Sequence, residues 1–227
     1  MKQDLFTSTI ADGLSRLELS LDSAGIGRLY TYYVELKKWS RRVNLIAKGT
    51  ADKEIIENHF LDSLTLLPLL HDDDHLLDIG TGAGFPGLVL KAAMPGLHVT
   101  LVEPRRKRVT FLNHIIRTVG VGDVGVFECR AEDDTLLPAD MGVTHVTSRA
   151  VTEISGFLDM TARFAQSGAC VICMKGPRWQ EELENAAEHI KNGGFNCCEK
   201  RIFHLPNSGA ERALVLFTKE NQDHSGS

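Results

Sequence analysis

The sequence predicts an α/β fold: a seven-stranded, mostly parallel sheet with helices on both faces, closed by a C-terminal hairpin and preceded by a helical N-terminal extension. Three observations carry this. From His75 onward, near-continuous apolar runs alternate with helix-like periodicities, as in a parallel sheet covered on both sides. The last two apolar runs have no helix between them. Residues 1–70 show helical spacing and no strand-like alternation.

Leu5, Ile10, Leu14, Leu17 and Leu21 recur at helical spacing in the first segment. Gly25 and Gly27 are expected to break that pattern, with a second helix over 28–42. A third is expected after Thr50, capped by Asp52 and running toward Leu70. Strands are expected over 75–79, 98–103, 124–129, 144–148 and 169–174, and helices over 86–94, 105–119, 152–166 and 178–192. Phe195–His204 and Arg212–Thr218 then form a hairpin around the turn Pro206–Gly209. The expected organisation is a helical extension over 1–70, an α/β domain over 71–219 and a loose polar tail over 220–227.

Composition bounds the function. The 227 residues are 43% hydrophobic, enough for a real core, and no apolar run reaches the length of a membrane span. The start, MKQDLFTSTIADG, lacks the basic-then-apolar pattern of a secretory signal. Five cysteines suit a reducing cytoplasm. Cys170 and Cys173 are three apart on an expected strand, so they face opposite sides and are expected to be core thiols; no metal site is expected. The net charge of −5 argues against a general nucleic-acid coat. Basic residues nevertheless cluster at Lys37 and Lys38, at Arg41, Arg42 and Lys48, and at Arg105–Arg108, while acids cluster at 72–74 and 132–134.

The most informative segment is Leu76–Gly87, LLDIGTGAGFPG. An apolar strand ends in Asp78 and runs into a loop with glycines at 80, 82 and 84, before a helix beginning about Pro86. Such a loop lets a ligand touch the backbone. Gly82, Gly84 and Gly87 also fit the spacing of dinucleotide binders. A carboxylate before the loop would repel a pyrophosphate but attract the ammonium and sulfonium of S-adenosylmethionine. A second strand ends in Glu103, which can accept both ribose hydroxyls. Asp78, the glycines and Glu103 together favour S-adenosylmethionine over NAD, and the closing hairpin is a second sign of a methyltransferase. An NAD-dependent oxidoreductase is the alternative.

The chain resembles the RsmG (GidB) family of bacterial small-subunit ribosomal RNA guanine methyltransferases. The resemblance rests on Asn44 and Leu45, His59 with Asp62 and Ser63, Asp78–Gly87, Lys107 and Arg108 with Phe111 and Leu112, Arg130–Glu132, Ser148–Ala150, and Lys175 with Gly176. It implies a class I, Rossmann-like methyltransferase. The implied donor is S-adenosylmethionine, and the implied target is nitrogen 7 of the guanine at position 527, in standard numbering, of 16S rRNA in the 30S subunit. It also implies cofactor contacts at Gly80, Phe85, Ala131, Glu132 and Arg149. Relatives often carry Asp where this chain has Glu103, which keeps the charge and lengthens the reach. Another RNA site is the alternative target, and a non-enzymatic RNA-binding factor the alternative class.

Guanine nitrogen 7 has a free lone pair, so no general base is nominated. His59, Asp62, Arg149 and Lys175 are the candidates for positioning substrate. His59, Asp62 and Ser63 share a helix face at three- and four-residue spacing, either docked on the cofactor loop or RNA, or simply packed. Arg149 follows a strand on the ligand-binding edge, where it can meet the cofactor carboxylate, a phosphate or the guanine carbonyl oxygen. Lys175 ends the next strand and can contact phosphate. Trp39 and Trp179 stack on a base or pack. A single chain acting as a monomer, with no membrane partner, is expected.

Overall fold

The computed structural model describes residues 1–149 and 152–219. Ala150 of the Ser148–Ala150 motif and the expected tail over 220–227 lie outside them. The seven expected strands form one sheet: β1 (His75–Ile79), β2 (His98–Val102), β3 (Val124–Phe127), β4 (His145–Arg149), β5 (Cys170–Lys175), β6 (Phe195–His204) and β7 (Glu211–Lys219). Their order is β3-β2-β1-β4-β5-β7-β6. The first five are parallel, and β7 runs antiparallel to both β5 and β6. The order reverses between β1 and β4, where sheets of this kind bind ligands beyond their strand ends.

Alternation along the strands feeds two cores. Leu76, Val99, Leu101, Ile172 and Leu214 face one side, covered by α1 (Gln3–Arg16), α2 (Ser23–Trp39), α5 (Gly87–Ala93) and α6 (Arg106–Val119). Leu77, Val102, Val146, Val171 and Val215 face the other, under α7 (Ile154–Gln166), α8 (Trp179–Asn185) and α9 (Ala187–Asn192). Cys170 and Cys173 divide between these faces, as their spacing predicts. The helical extension shares the first core: Phe6, Ile10, Leu29, Tyr32 and Phe60 pack in the same cluster as Leu88 and Phe111.

Several expectations about helices are corrected. Gly25 and Gly27 lie inside α2, because Asp22 caps the helix by accepting from Gly25 N at 2.6 Å. Asp52 is not a cap; Ala51 holds that position, and Asp52 is drawn into ion pairs with Lys37 Nζ (2.5 Å) and the Met1 amine (3.2 Å). The helix from Asp52 is interrupted: α3 (Asp52–Ile55) passes into a π-helical turn (Ile56–Leu61), then α4 (Asp62–Leu64) and a short 3-10 turn (Leu67–Leu69). The expected helix over 178–192 is two, divided at Ala186.

The glycine loop is locked from below by the extension. Fully buried Tyr32, on α2, donates its hydroxyl hydrogen to Ala83 O and lies stacked 5.8 Å from Phe85. Gly84 has φ +94, and a Cβ there would overlap Tyr32 Oη and sit 2.9 Å from Leu88 Cβ. Gly84→Ala is therefore expected to cost about 2–4 kcal/mol, from backbone strain plus overpacking. Thermal unfolding checks this; a melting temperature within one degree of wild type would show that Tyr32 gives way freely.

Candidate functional site

Two cavities open at the carboxyl edge of the sheet. The first, about 390 Å³, is walled by Gly80, Thr81, Gly82, Ala83 and Phe85 of the loop, by Glu103, Pro104, Arg105 and Arg108 after β2, and by Leu45, His59 and Arg149. The second, about 690 Å³, lies over the ends of β4 and β5 and the start of β7, lined by Asn58, Asp62, Arg149, Lys175, Glu182 and Arg212 among others. Arg149 belongs to both.

Gly80, Gly82 and Gly84 all have positive φ, at +68, +62 and +94. Gly82 is the open one: a Cβ there would meet nothing nearer than Arg108 Nη1 at 3.7 Å, so the space over its backbone is free for a ligand. Glu103 is buried at the cavity wall; Oε1 accepts from Arg105 N at 2.9 Å, and Oε2 lies 3.4 Å from Arg108 Nη1. Its second oxygen thus keeps acceptor capacity facing the cavity. A cradle of bare backbone beside a buried carboxylate fits an adenosine-type cofactor.

Asp78 is placed differently from the expectation that it meets the cofactor directly. It lies beneath the loop, fully buried and off the cavity wall. Its Oδ2 accepts from Thr81 Oγ1 (2.6 Å) and Gly87 N (2.8 Å), so it pins both ends of the loop. Its Oδ1 is buried with no hydrogen-bond partner among the described residues. Burial pushes this carboxyl up to about 6; the Thr81 and Gly87 hydrogen bonds and Arg149 oppose the rise. Ala131 and Glu132 are also off this wall. Ala131 is packed in the second core with its carbonyl bonded to Arg163 Nη2 at 2.6 Å, and Glu132 is exposed.

Arg149 and the π-helical turn form the centre of the site. The wide turn sends Asp62 N to Glu57 O, five residues back. Asn58 O is thereby left to accept from Arg149 Nη1. Arg149 Nη2 donates to His59 Nδ1 at 2.8 Å, and Asp62 Oδ2 lies 3.4 Å from Nη1. His59 in turn stacks on Phe85 of the loop, centroids 4.8 Å apart at 14°. Burial, aided by Arg149, drives the His59 imidazole down to about 3. The ring is therefore neutral, with its proton on Nε2 because Nδ1 is an acceptor. Ser63 is fully buried, and its hydroxyl donates back to His59 O at 2.5 Å.

Lys175 reaches the floor of the larger cavity, but its ammonium is engaged by Thr152 O at 2.8 Å and Glu182 Oε2 at 2.7 Å. A half-buried ammonium needs such partners, which removes it as a free phosphate contact. Trp179 is buried, bonded to Glu211 Oε1 at 3.1 Å, and Trp39 packs on Phe111 and His114. Sequence reasoning missed Arg212, whose Nε lies 3.4 Å from Asp62 Oδ1, and Glu57, whose buried carboxylate accepts from Asn207 N (2.5 Å) and Ser208 N (2.9 Å) of the hairpin turn. An acid two residues before His59 carries no signal for either contact.

Two variants test this arrangement. Gly82→Val fills the open cradle, so S-adenosylhomocysteine binding should be lost by calorimetry while the fold survives; full binding would put the ligand elsewhere. For Asp78 the sign is set by its raised value. The folded chain holds this proton more tightly than the unfolded chain, where the carboxyl titrates near ~3.9. The group's contribution to stability falls as pH rises from about 4 through about 6, then levels off. Asp78→Asn, whose amide oxygen can accept both loop hydrogen bonds, should therefore gain in melting temperature relative to wild type between pH 5 and 7 in the ligand-free protein. A difference that does not change with pH would refute the raised carboxyl.

Comparison with known proteins identifies the fold and the family. Among solved structures, a TYW2 from M. jannaschii in complex with AdoMet superposes with a TM-score of 0.56 at 12% identity, covering 76% of this chain and 80% of that one. A precorrin-6y C5,15-methyltransferase from Geobacter metallireducens gives 0.52 at 16% identity, covering 77% and 92%. These likenesses establish the class I methyltransferase fold. A ribosomal RNA small subunit methyltransferase G from Desulfotalea psychrophila is 53% identical over 211 residues, 93% of this chain and 97% of the relative. One from Syntrophus aciditrophicus is 38% identical over 210 residues, 92% and 87% of the two chains. The family model GidB, rRNA small subunit methyltransferase G, matches residues 26–205, and the chain belongs to that family.

Proposed function

We propose that the chain transfers the methyl group of S-adenosylmethionine to nitrogen 7 of a guanine in 16S rRNA, acting as a cytoplasmic monomer on the 30S particle. The observation that carries this is the wall shared by the two cavities. The glycine cradle holds the cofactor on one side of Arg149, and a base extruded from the RNA enters the larger cavity on the other.

When bound, S-adenosylmethionine supplies a methyl on a sulfonium, a leaving group that needs no activation. Gly80, Gly82 and Phe85 would hold it from the loop side and Glu103 at the ribose. The adenine end would lie toward Ala131 and Glu132, beyond Pro104. Asp78, behind the loop, adds negative charge that favours a cationic ligand. Arg149 separates the compartments with its donors directed mainly into the protein. It therefore shapes the passage without putting a free guanidinium against nitrogen 7, which gains positive charge in the reaction. His59, held flat on Phe85, fixes the loop and Arg149 relative to one another. The remaining work is placement, which can contribute several kcal/mol.

NAD fits less well. A pyrophosphate would need the amides at the start of α5, but Gly87 N is taken by a buried carboxylate there. For RNA, the loop between α2 and α3 carries exposed Arg41, Arg42 and Lys48, while Arg106 and Lys107 are exposed on α6. The two elements meet at the mouth of the cofactor cavity, where Arg108 Nη2 donates to Asn44 O at 3.3 Å.

Tritiated-methyl transfer to 30S particles lacking the modification tests the assignment, with label expected on a guanine nitrogen 7; label at another atom or site would overturn it. The Arg41→Glu/Arg42→Glu and Arg106→Glu/Lys107→Glu pairs should weaken RNA binding and flatten its salt dependence by roughly one unit of log–log slope per lost phosphate contact. Affinity for S-adenosylhomocysteine should not change. Unaltered RNA binding in both pairs would remove this surface from the footprint.

With His59 neutral above about pH 3 and no proton to remove from nitrogen 7, the single-turnover rate should be flat from about pH 7 to 9. His59→Ala should lower that rate about tenfold through misplacement, leaving the profile's shape intact. A wild-type rise centred near neutral pH, lost in the variant, would make His59 a base.

A further inference from the structure

A third cavity, about 480 Å³, lies at the carboxyl end of α2 and is lined by Glu35, Lys38, Trp39, Arg41, Arg42 and Val43. That volume falls within the range of sites that hold small organic groups. Its aromatic wall is the Trp39 indole. Phe111 and His114 of α6 brace the ring, with centroids 5.6 and 5.1 Å away, yet the residue stays partly exposed. The chain then turns back beside it, because Trp39 O accepts from both Arg42 N and Val43 N at 2.9 Å. Arg41 and Arg42 are both exposed there, and neither makes an ion pair among the described residues. The acid in the lining, Glu35, is already balanced. Lys38 Nζ lies 2.5 Å from its Oε1 and His114 Nε2 lies 2.8 Å from its Oε2, and the Lys38 hydrogen bond holds the carboxyl below its ordinary range. The cavity therefore pairs a braced aromatic ring with two uncommitted cations.

Its surroundings continue the same chemistry. Arg41 also walls a neighbouring cavity of about 610 Å³, together with Lys37, Lys48 and Gly49. Lys37 is bound to Asp52, but Lys48 is exposed. In the other direction, Val43 in the Trp39 cavity is two residues, roughly 7 Å at full extension, from Leu45 in the wall of the cofactor cavity. A basic track thus passes the indole and ends at the cofactor site. Proteins that hold single-stranded nucleic acid combine these two elements, a cation for the phosphate and a ring for the base. A charged rim alone supplies only the first.

We propose that the Trp39 cavity docks one unpaired nucleotide of the RNA that flanks the target, with its base stacked on the indole and its phosphates held by Arg41 and Arg42. This rests on the reading that the basic rim meets RNA, and it does not depend on which guanine atom is methylated. Because every base has a π-face, the site contributes grip rather than sequence choice.

The test is single-turnover methyl transfer over a range of concentrations of 30S particles lacking the modification, which separates binding from the transfer step. Trp39→Leu should raise the half-saturating particle concentration about tenfold, as for one lost stacking contact, with the plateau rate and the affinity for S-adenosylhomocysteine unchanged. Trp39→Phe, which keeps a ring, should recover most of the loss. Salt separates stacking from a merely structural role. Trp39→Leu should keep the wild-type log–log slope of binding against salt, whereas Arg41→Gln should flatten it by about one unit. Collapse of the segment would flatten both. Ultraviolet crosslinking of the wild type to the same particles needs no variant, and it should attach a nucleotide within the tryptic peptide Trp39–Arg41. An unchanged half-saturating concentration in Trp39→Leu, or a flattened slope in that variant, would overturn the proposal. If Trp39→Leu does not fold, the absence of the crosslink does so, as does a crosslink from this peptide to a ribosomal protein. Weakened RNA binding in the charge-reversed pairs would then show that the Trp39 site alone has failed; normal binding in them would show that the RNA reading of the rim has failed with it.

Discussion

Arg149 is the residue on which the site's geometry depends. It is fixed at the end of β4, in the middle of the sheet, yet its guanidinium is held by a helix almost ninety residues earlier in the chain. Three acceptors from one π-helical turn grip it: Asn58 O, His59 Nδ1 and Asp62 Oδ2. An ordinary α-helical turn would have used Asn58 O for its own hydrogen bond. The cost of the wider turn is offset by anchoring an otherwise buried cation. Removing Asp62 alone would leave two guanidinia facing each other without their carboxylate, a situation that typically costs roughly 3–5 kcal/mol in a buried pair. The same turn sends Glu57 to the amides of the hairpin, so one segment ties the glycine loop, β4 and the β6–β7 turn together. The helical extension is in this sense part of the site's wall.

The glycine loop shows a second balance. Burial opposes the ionisation of Asp78, and the nearby Glu103 carboxylate adds to that opposition. Arg149 relieves part of this from the far side of the cavity. A cation bound in the cradle would relieve more of it, which is why a positively charged cofactor suits this pocket and a pyrophosphate does not. The protein keeps an unfavourable charge pattern that binding improves, rather than a neutral pocket that binding leaves unchanged.

Much of this was legible in the sequence. The strand-ending acids, the glycines and the alternation of apolar runs are local signals, and they fixed the sheet, its hairpin and the first cavity. Arg149 and Lys175 were readable as strand-end residues on the ligand edge. What escaped was set by contacts distant along the chain. Nothing in the residue types of Ile56–Leu61 marks a π turn; what the turn does, leaving Asn58 O free for Arg149, shows only in the tertiary contact. Lys175 reads as a free cation until Glu182 is seen beside it. Asp78 reads as a ligand contact until Thr81 and Gly87 are found to occupy it. Tyr32, which locks the loop, lies in a helical run whose apolar face gives no hint of its partner, Ala83 O.

The distribution of charge explains how an acidic protein can hold RNA. The acids at 72–74 precede β1, at the edge where its strand begins; Asp74 O accepts from His98 N and Asp72 packs against Gly96. Exposed Arg41, Arg42, Lys48, Arg105, Arg106 and Lys107 gather toward the opposite edge, around the mouth of the first cavity. From Asp74 to Gly80 the chain advances six residues along a strand, roughly 20 Å at ~3.3 Å each. That is more than twice the ~8 Å screening length at physiological salt. Phosphates approaching the ligand edge are therefore shielded from the acids at 72–74, though not from those at 132–134, which follow the carboxyl end of β3 on that same edge. A net charge of −5 then limits indiscriminate binding over the whole surface, while the basic rim around the first cavity supplies the local attraction.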